Sequence, residues 1–162
     1  MAGEVLNIEQ DKQFELEDRF LLFYINEMLH SVELRYVLEI ITVQRVTHLP
    51  NLPEYIKGII NLRGKVIPVI DMRMKLGLEE RAYDDKTCIV VIDINEMHIG
   101  LIVDSVSEVV TISKESISAT PPGDVAAKYI ASISTHNEGT VLNIDCEKLF
   151  INDLDTVTVT AN

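Results

Sequence analysis

At 162 residues, with 47% apolar side chains, the chain is long enough to bury a core and fits one domain or two tightly joined halves. Acidic residues outnumber basic ones 26 to 14, for a net charge of −12, which argues against the clustered Lys and Arg that nucleic acids and anionic membranes require. Ile and Val dominate the apolar set and Trp is absent, a balance that favours strands over helices.

Residues 1–17 read as a flexible, solvated acidic tail, carrying Glu4, Glu9, Asp11, Glu15 and Glu17 against a single Lys12. No basic leader precedes an apolar stretch and no apolar run approaches 18 residues, so the expected location is cytoplasmic, without membrane insertion. Phe20–Ile25 and Met28–Leu34 then read as strands around an Asn26-Glu27 turn, with Val32 and Leu34 on the inner face. Ile40–Val46 is a further predicted strand, followed by a loop through Pro50 and Pro53. Ile59–Leu62 and Val66–Ile70 flank Arg63-Gly64-Lys65 as another hairpin. Pro68 cannot donate to a ladder, so its strand is expected at a sheet edge or at a bulge. Cys88–Ile94, Met97–Val103, Val109–Ile112, Ile130–Ser134 and Thr140–Ile144 complete the strands, and Asp145 reads as the N-cap of a short helix through Phe150.

Much of this second set repeats the first. Ile25-Asn26-Glu27-Met28 recurs as Ile94-Asn95-Glu96-Met97, and Val37-x-Glu39-Ile40-Ile41-Thr42-Val43 as Val106-x-Glu108-Val109-Val110-Thr111-Ile112, both at an offset of 69. Tyr55-Ile56-x-x-Ile59 and Ile67-x-x-Ile70-Asp71 return at an offset of 74, as Tyr129-Ile130-x-x-Ile133 and Val141-x-x-Ile144-Asp145. The five extra residues fall within Lys114–Lys128, which contains Pro121-Pro122-Gly123. A tandem duplication predicts two similar β modules packed together, module one over about 18–80 and module two over about 87–150, with exchange of strands between them left open and a C-terminal tail over 151–162.

Chemistry for catalysis is sparse. His30, His48, His98 and His136 make no metal-ligand spacing, and no phosphate-cradling glycine pattern occurs, so neither metal nor cofactor is expected. Cys88 and His98 offer a thiol–imidazole combination on adjacent predicted strands, but a buried thiol and a strand-face histidine explain them more simply. Asp71 and Asp145 occupy matching positions after a strand, which points to capping rather than acid–base work. The copies differ most where Lys57-Gly58-Ile59-Ile60-Asn61-Leu62-Arg63-Gly64-Lys65 faces Ala131-Ser132-Ile133-Ser134-Thr135-His136-Asn137-Glu138-Gly139. Arg63 presents five donors at a turn, suited to a carboxylate or a backbone carbonyl, and Gly58 is read as leaving the surface open to close approach. Both remain compatible with a solvated arginine beside a flexible glycine. The expected class is a non-enzymatic protein-binding module.

The run from Ile56 to Arg73, Ile56-Lys57-Gly58-Ile59-Ile60-Asn61-Leu62-Arg63-Gly64-Lys65-Val66-Ile67-Pro68-Val69-Ile70-Asp71-Met72-Arg73, resembles the signature of the CheW family of bacterial chemotaxis coupling proteins. Val37-x-Glu39-Ile40, Pro50-x-x-Pro53, Gly100-Leu101-Ile102-Val103-Asp104-x-Val106 and the closing Leu142-x-Ile144-Asp145-x-x-Lys148-Leu149 match as well, so the likeness spans about residues 18–150. It implies an all-β fold of two five-stranded SH3-like barrels related by a pseudo-twofold, with short helices and no catalysis. It also implies an adaptor that couples the cytoplasmic tips of transmembrane chemoreceptors to the regulatory domain of the histidine kinase CheA, within receptor arrays and beside other CheW copies in rings. An alternative is a regulatory adaptor for another two-component kinase. On matching positions the receptor contact falls on Val37, Glu39, Gly58, Asn61 and Arg63, and the kinase contact on Val46, Thr47, Leu49 and Pro50. The chain departs from the family pattern at Ala131, at His30-Ser31, and in a 114–128 loop with no Arg, Phe or Trp, which alters any kinase contact made there. Its acidic start and short end read as a complete adaptor rather than a piece cut from a fusion with a receiver domain.

Overall fold

In a computed structural model, described over residues 18–119 and 128–149, four two-residue turns set the strand pairing. Asn26-Glu27, Arg63-Gly64, Asn95-Glu96 and Asn137-Glu138 each place both residues at positive φ, between 49° and 82°. That pair of left-handed residues is what the type I′ hairpin needs to match the twist of its strands. The tail over 1–17, the Pro121-Pro122-Gly123 loop, Phe150 and the tail over 151–162 lie outside the described residues.

The elements run β1 (Arg19–Ile25), β2 (Met28–Glu33), β3 (Val37–Thr42), β4 (Ile56–Leu62), β5 (Lys65–Asp71), α1 (Met72–Lys75), β6 (Cys88–Ile94), β7 (Met97–Val103), β8 (Ser105–Thr111), β9 (Ile117–Ala119), β10 (Ile130–His136), β11 (Gly139–Ile144) and α2 (Cys146–Leu149). They form two sheets, in the orders β3-β6-β7-β5-β4 and β8-β1-β2-β11-β10-β9. The repeat maps one order onto the other, strand for strand. β9 alone has no counterpart strand, and its place is taken by a single bridge between Thr47 and Ile59. The first hairpin of each copy therefore sits in the sheet of the other: β1–β2 joins β8–β11, and β6–β7 joins β3–β5. We call the five-stranded sheet module one and the six-stranded sheet module two.

Alternation along the exchanged strands explains why. In β6, Ile89 and Val91 face the interior of module one with Ile60, Ile67, Val69 and Ile102, while Val90, Ile92 and Ile94 face the seam between modules. In β1, Phe20 and Leu22 face the interior of module two with Val110, Ile112 and Val141, while Leu21, Phe23 and Ile25 face the seam. Strands buried on both faces must be apolar on both, and these are. The seam cluster holds 19 buried residues against six and five inside the modules. At roughly 1.5–3 kcal/mol per fully buried large apolar side chain, pulling the modules apart would cost more than a domain's whole stability of about 5–15 kcal/mol.

Several local expectations are corrected. Pro68 is buried in β5, an interior strand between β4 and β7, so the edge alternative fails, while a bulge in β4 between Ile56 and Gly58 does interrupt the pairing beside it. The parallel pairing with β7 begins at Val69, one residue beyond the proline, so no ladder bond from its nitrogen is required. The predicted strand Ile40–Val46 is instead Val37–Thr42, and Val109–Ile112 is instead Ser105–Thr111. β2 ends at Glu33, and Leu34 begins a single 3₁₀ turn over Leu34–Tyr36 while keeping its inward position. Lys65 is the first residue of β5 and not part of the turn. The capping expectation holds: Asp71 Oδ1 accepts from the Met74 N–H at 3.2 Å and Asp145 Oδ1 from the Lys148 N–H at 3.1 Å.

Candidate partner-binding surface

The contact residues expected in the first copy all lie on module one. β3 and β4 are the terminal strands of its sheet, and the sheet curls until they approach. A bulge between Val37 and Glu39, opposite Val91–Ile92, re-aims the middle of β3. Glu39 Oε2 then accepts from Arg63 Nη1 at 2.5 Å. The hydrogen bond to Glu39, followed by its charge, raises the Arg63 pKa and keeps the guanidinium charged. Arg63 remains 73% exposed and has donors to spare, whereas Glu39 Oε1 is buried without a hydrogen-bond partner. Asn61 supports the same turn, its Oδ1 accepting from the Gly64 N–H at 3.0 Å. Glu39, Asn61 and Arg63 thus form one polar rim at the tip of the β4–β5 hairpin.

Val37 and Gly58 stand differently. Val37 packs into the seam core and is 9% exposed. Gly58 is buried at φ +143°, and a Cβ there would overlap the carbonyl oxygen of Thr47 and stand 2.7 Å from its carbon. The close approach that Gly58 permits is therefore made by the chain's own backbone at Thr47 and His48, and the reading that Gly58 leaves the surface open is corrected. Two backbone bonds pin the crossing: Thr47 N–H to Ile59 O at 2.8 Å and Ile59 N–H to Thr47 O at 2.9 Å. Val46 packs on the interior of module one, Leu49 is half-buried, and Thr47 and Pro50 are exposed. The two predicted contact groups are therefore joined through β4.

One surface residue was missed. Val66, paired across the hairpin with Asn61, is 53% exposed. Alternation alone places it opposite the inward Ile67 and Val69, and it adds an apolar element beside Lys65 and Arg63.

Module two lacks this rim. Asn137 and Glu138 fill its turn, and Glu108, the counterpart of Glu39, has His136 Nε2 at 3.6 Å instead of an arginine. The thiol–imidazole combination is also absent as geometry. Cys88 lies across from Val103 and His98 across from Asp93, at opposite ends of the β6–β7 hairpin. Burial pushes the Cys88 thiol up, away from the reactive thiolate, and raises buried Cys146 to about 12. Among the described residues no group of His, Cys, Asp and Glu is set to hold a metal ion, and no helix is long and apolar enough to cross a membrane.

Comparisons with known proteins agree on one family. A family model described as a CheW-like domain matches residues 19–153. The chain is 32% identical over 151 residues to the chemotaxis protein CheW of Klebsiella aerogenes, covering 92% of this chain and 85% of that relative. It is 33% identical over 132 residues to the chemotaxis protein CheW of Bacillus subtilis (strain 168), covering 78% and 82%. The crystal structure of the scaffolding protein TtCheW from Thermoanaerobacter tengcongensis superposes with a TM-score of 0.79 at 32% identity, over 84% of this chain and 94% of that one.

Proposed function

The chain belongs to the CheW family, and from that premise we propose that it is a chemotaxis adaptor that couples chemoreceptor tips to the kinase CheA through two linked surfaces of module one. The observation that carries this reading is the Glu39–Arg63 rim, present in module one and replaced in module two. Its exposed guanidinium, with Asn61 and Val66 beside it, offers a receptor helix a bidentate donor next to an apolar contact. Val37 and Gly58 belong to this surface as supports, Val37 by anchoring β3 in the seam and Gly58 by seating the 46–50 segment.

The kinase contact is assigned to Val46, Thr47, Leu49 and Pro50. Because Thr47 is bonded to Ile59 in the strand that leads to Arg63, a shift of either surface is felt by the other. Such a protein works by geometry, with no reaction of its own: it fixes the kinase relative to the receptor. Its place is then the cytoplasmic face of receptor arrays.

The test is calorimetric titration of receptor-tip fragments and of the CheA regulatory domain into separate variants. Arg63→Ala should weaken the receptor interaction by at least about tenfold and leave the kinase interaction intact. Thr47→Asp should do the reverse. Loss of both interactions in each variant would contradict the division of surfaces, and loss of neither would end the assignment.

A further inference from the structure

At the hairpin end of module one, Lys65, His98 and Asp93 answer one another. Lys65 Nζ lies 3.4 Å from His98 Nε2, and that nitrogen lies 3.9 Å from Asp93 Oδ2. Lys65 continues the inward face of Ile67, and Asp93 that of Val91, so the interior of this module ends in a charged trio.

In module two the matched positions carry Gly139, Leu29 and Tyr24. Tyr24 and Leu29 are cross-strand partners on β1 and β2, and Leu29 stands beside Val141 of β11. Tyr24 follows Leu22 on the inward face and is 37% exposed, while half-buried Leu29 packs on the interior cluster. Where Lys65 reaches His98 in module one, Gly139 has no side chain to reach Leu29. A Cβ there would meet only His136 O, at 3.4 Å, so the space is open. The interior of module two therefore ends in an apolar step.

The step has an acidic border. The parallel register of β2 and β11 brings the Asn26-Glu27 and Asn137-Glu138 turns to the same end, and Glu108 stands 3.6 Å from His136. Glu27, Glu108 and Glu138 are exposed. Arg73, which reaches the first of these turns, is committed to Asp104 at 2.8 Å.

We propose that this step on module two docks a basic, apolar-tipped segment of a partner protein. An apolar side chain lies on Tyr24 and Leu29 above Gly139, and flanking lysines or arginines face Glu27, Glu108 and Glu138. Tyrosine gives a large contact at little entropic cost, and tyrosines recur at the energetic centres of interfaces. The carboxylate border selects a positive segment and turns away a negative one, in keeping with a net charge of −12. The site is separate from the Glu39–Arg63 rim, which belongs to module one.

NMR titration of the full chain with the peptide Lys-Lys-Ile-Leu-Lys-Lys tests it, with Lys-Lys-Ser-Ser-Lys-Lys as the charge-matched control. The first peptide should shift the Tyr24 ring and Leu29 methyl signals saturably and bind at least about tenfold more tightly than the second. Tyr24→Ser should weaken that binding about tenfold. Glu27→Lys with Glu138→Lys should weaken it and flatten its salt dependence. Tyr24→Asp, Leu29→His and Gly139→Lys together rebuild the module-one trio and should abolish it; should that variant not fold, Tyr24→Ser decides. Absence of binding, equal affinity for the two peptides, shifts that avoid Tyr24 and Leu29, or binding that survives Tyr24→Ser would overturn the proposal. So would a Tyr24 ring already covered in the free protein, by a second copy (concentration-dependent signals) or by another segment of the chain (cross-relaxation to its protons).

Discussion

Module one and module two share strand order, bulge positions, two-residue turns and aspartate caps, yet their interiors are chemically unlike. At four matched positions module one has Gly58, Ile60, Val69 and Gly100, and module two has Ser132, Ser134, Asn143 and Ser31. The polar set, buried except for half-buried Ser132, is mutually satisfied: Asn143 Oδ1 accepts from Ser31 Oγ at 2.6 Å and from Ser134 Oγ at 3.3 Å, while Asn143 Nδ2 donates to Ser132 Oγ at 2.9 Å. One backbone tolerates both interiors because the seam, apolar in both copies, carries most of the burial. The difference also places close backbone crossing in module one, under Thr47, and hydrogen bonding in module two.

The largest expected effect breaks that contrast at its tightest point. Gly58→Ala should destabilise the protein by roughly 2–4 kcal/mol, through overlap with Thr47 and an unfavourable φ. The melting temperature should fall by about 4–15 °C, and Ser132→Ala at the matched position should cost much less. A thermal melt in which the two substitutions cost the same would remove the distinction.

Next comes the polar cluster. Asn143→Val alone strands the two buried hydroxyls of Ser31 and Ser134 and should cost roughly 1–3 kcal/mol. Combining it with Ser31→Gly and Ser134→Ile grafts the module-one residues and should recover most of that loss in urea denaturation. Failure of the graft to recover stability would mean that the two backbones are less equivalent than their pairing suggests.

A third contrast is His30, whose counterpart is Ile99. His30 is buried, stacks on Phe23 at 6.2 Å between ring centres and donates from Nδ1 to Met28 O at 2.9 Å. Burial lowers its pKa below the usual 6.5, outweighing the Met28 carbonyl and Asp104, which act the other way. The unfolded chain therefore takes up the proton first. Stability should be full above pH 6.5 and should decline as pH falls toward the folded-state value, by at most about 1.4 kcal/mol per pH unit from this group. His30→Ile should flatten that part of the stability–pH curve, and an unchanged slope would assign the acid sensitivity elsewhere.

The smallest effect on stability is expected at the rim. Arg63→Ala breaks an exposed ion pair, so its melt should match the parent protein even while receptor affinity drops. A shifted melt would show the pair to be structural first.

Much of this was legible in the order of residues. Asn26-Glu27 and its three relatives mark turns because few residue pairs tolerate two left-handed conformations in succession. Asp71 and Asp145 announce caps by standing just beyond a strand. Arg63 was visible as an asymmetry between copies, although its pairing with Glu39 depends on the curl of a sheet that separates them by three strands. Gly58 was misread because the obstructing carbonyl belongs to Thr47, 11 residues earlier in the chain. The edge alternative for Pro68 failed because local chemistry records the missing donor but not where the neighbouring ladder begins.

By itself the sequence determined the β class, the duplication, the hairpins and the family, since turn propensity, alternation and motif spacing are local properties of the chain. Only the tertiary structure decided that each copy lends its first hairpin to the other and that the backbone of Thr47 crosses directly over Gly58. Those outcomes rest on which distant surfaces meet, and burial across a seam is a property of the assembled sheets, not of any segment alone.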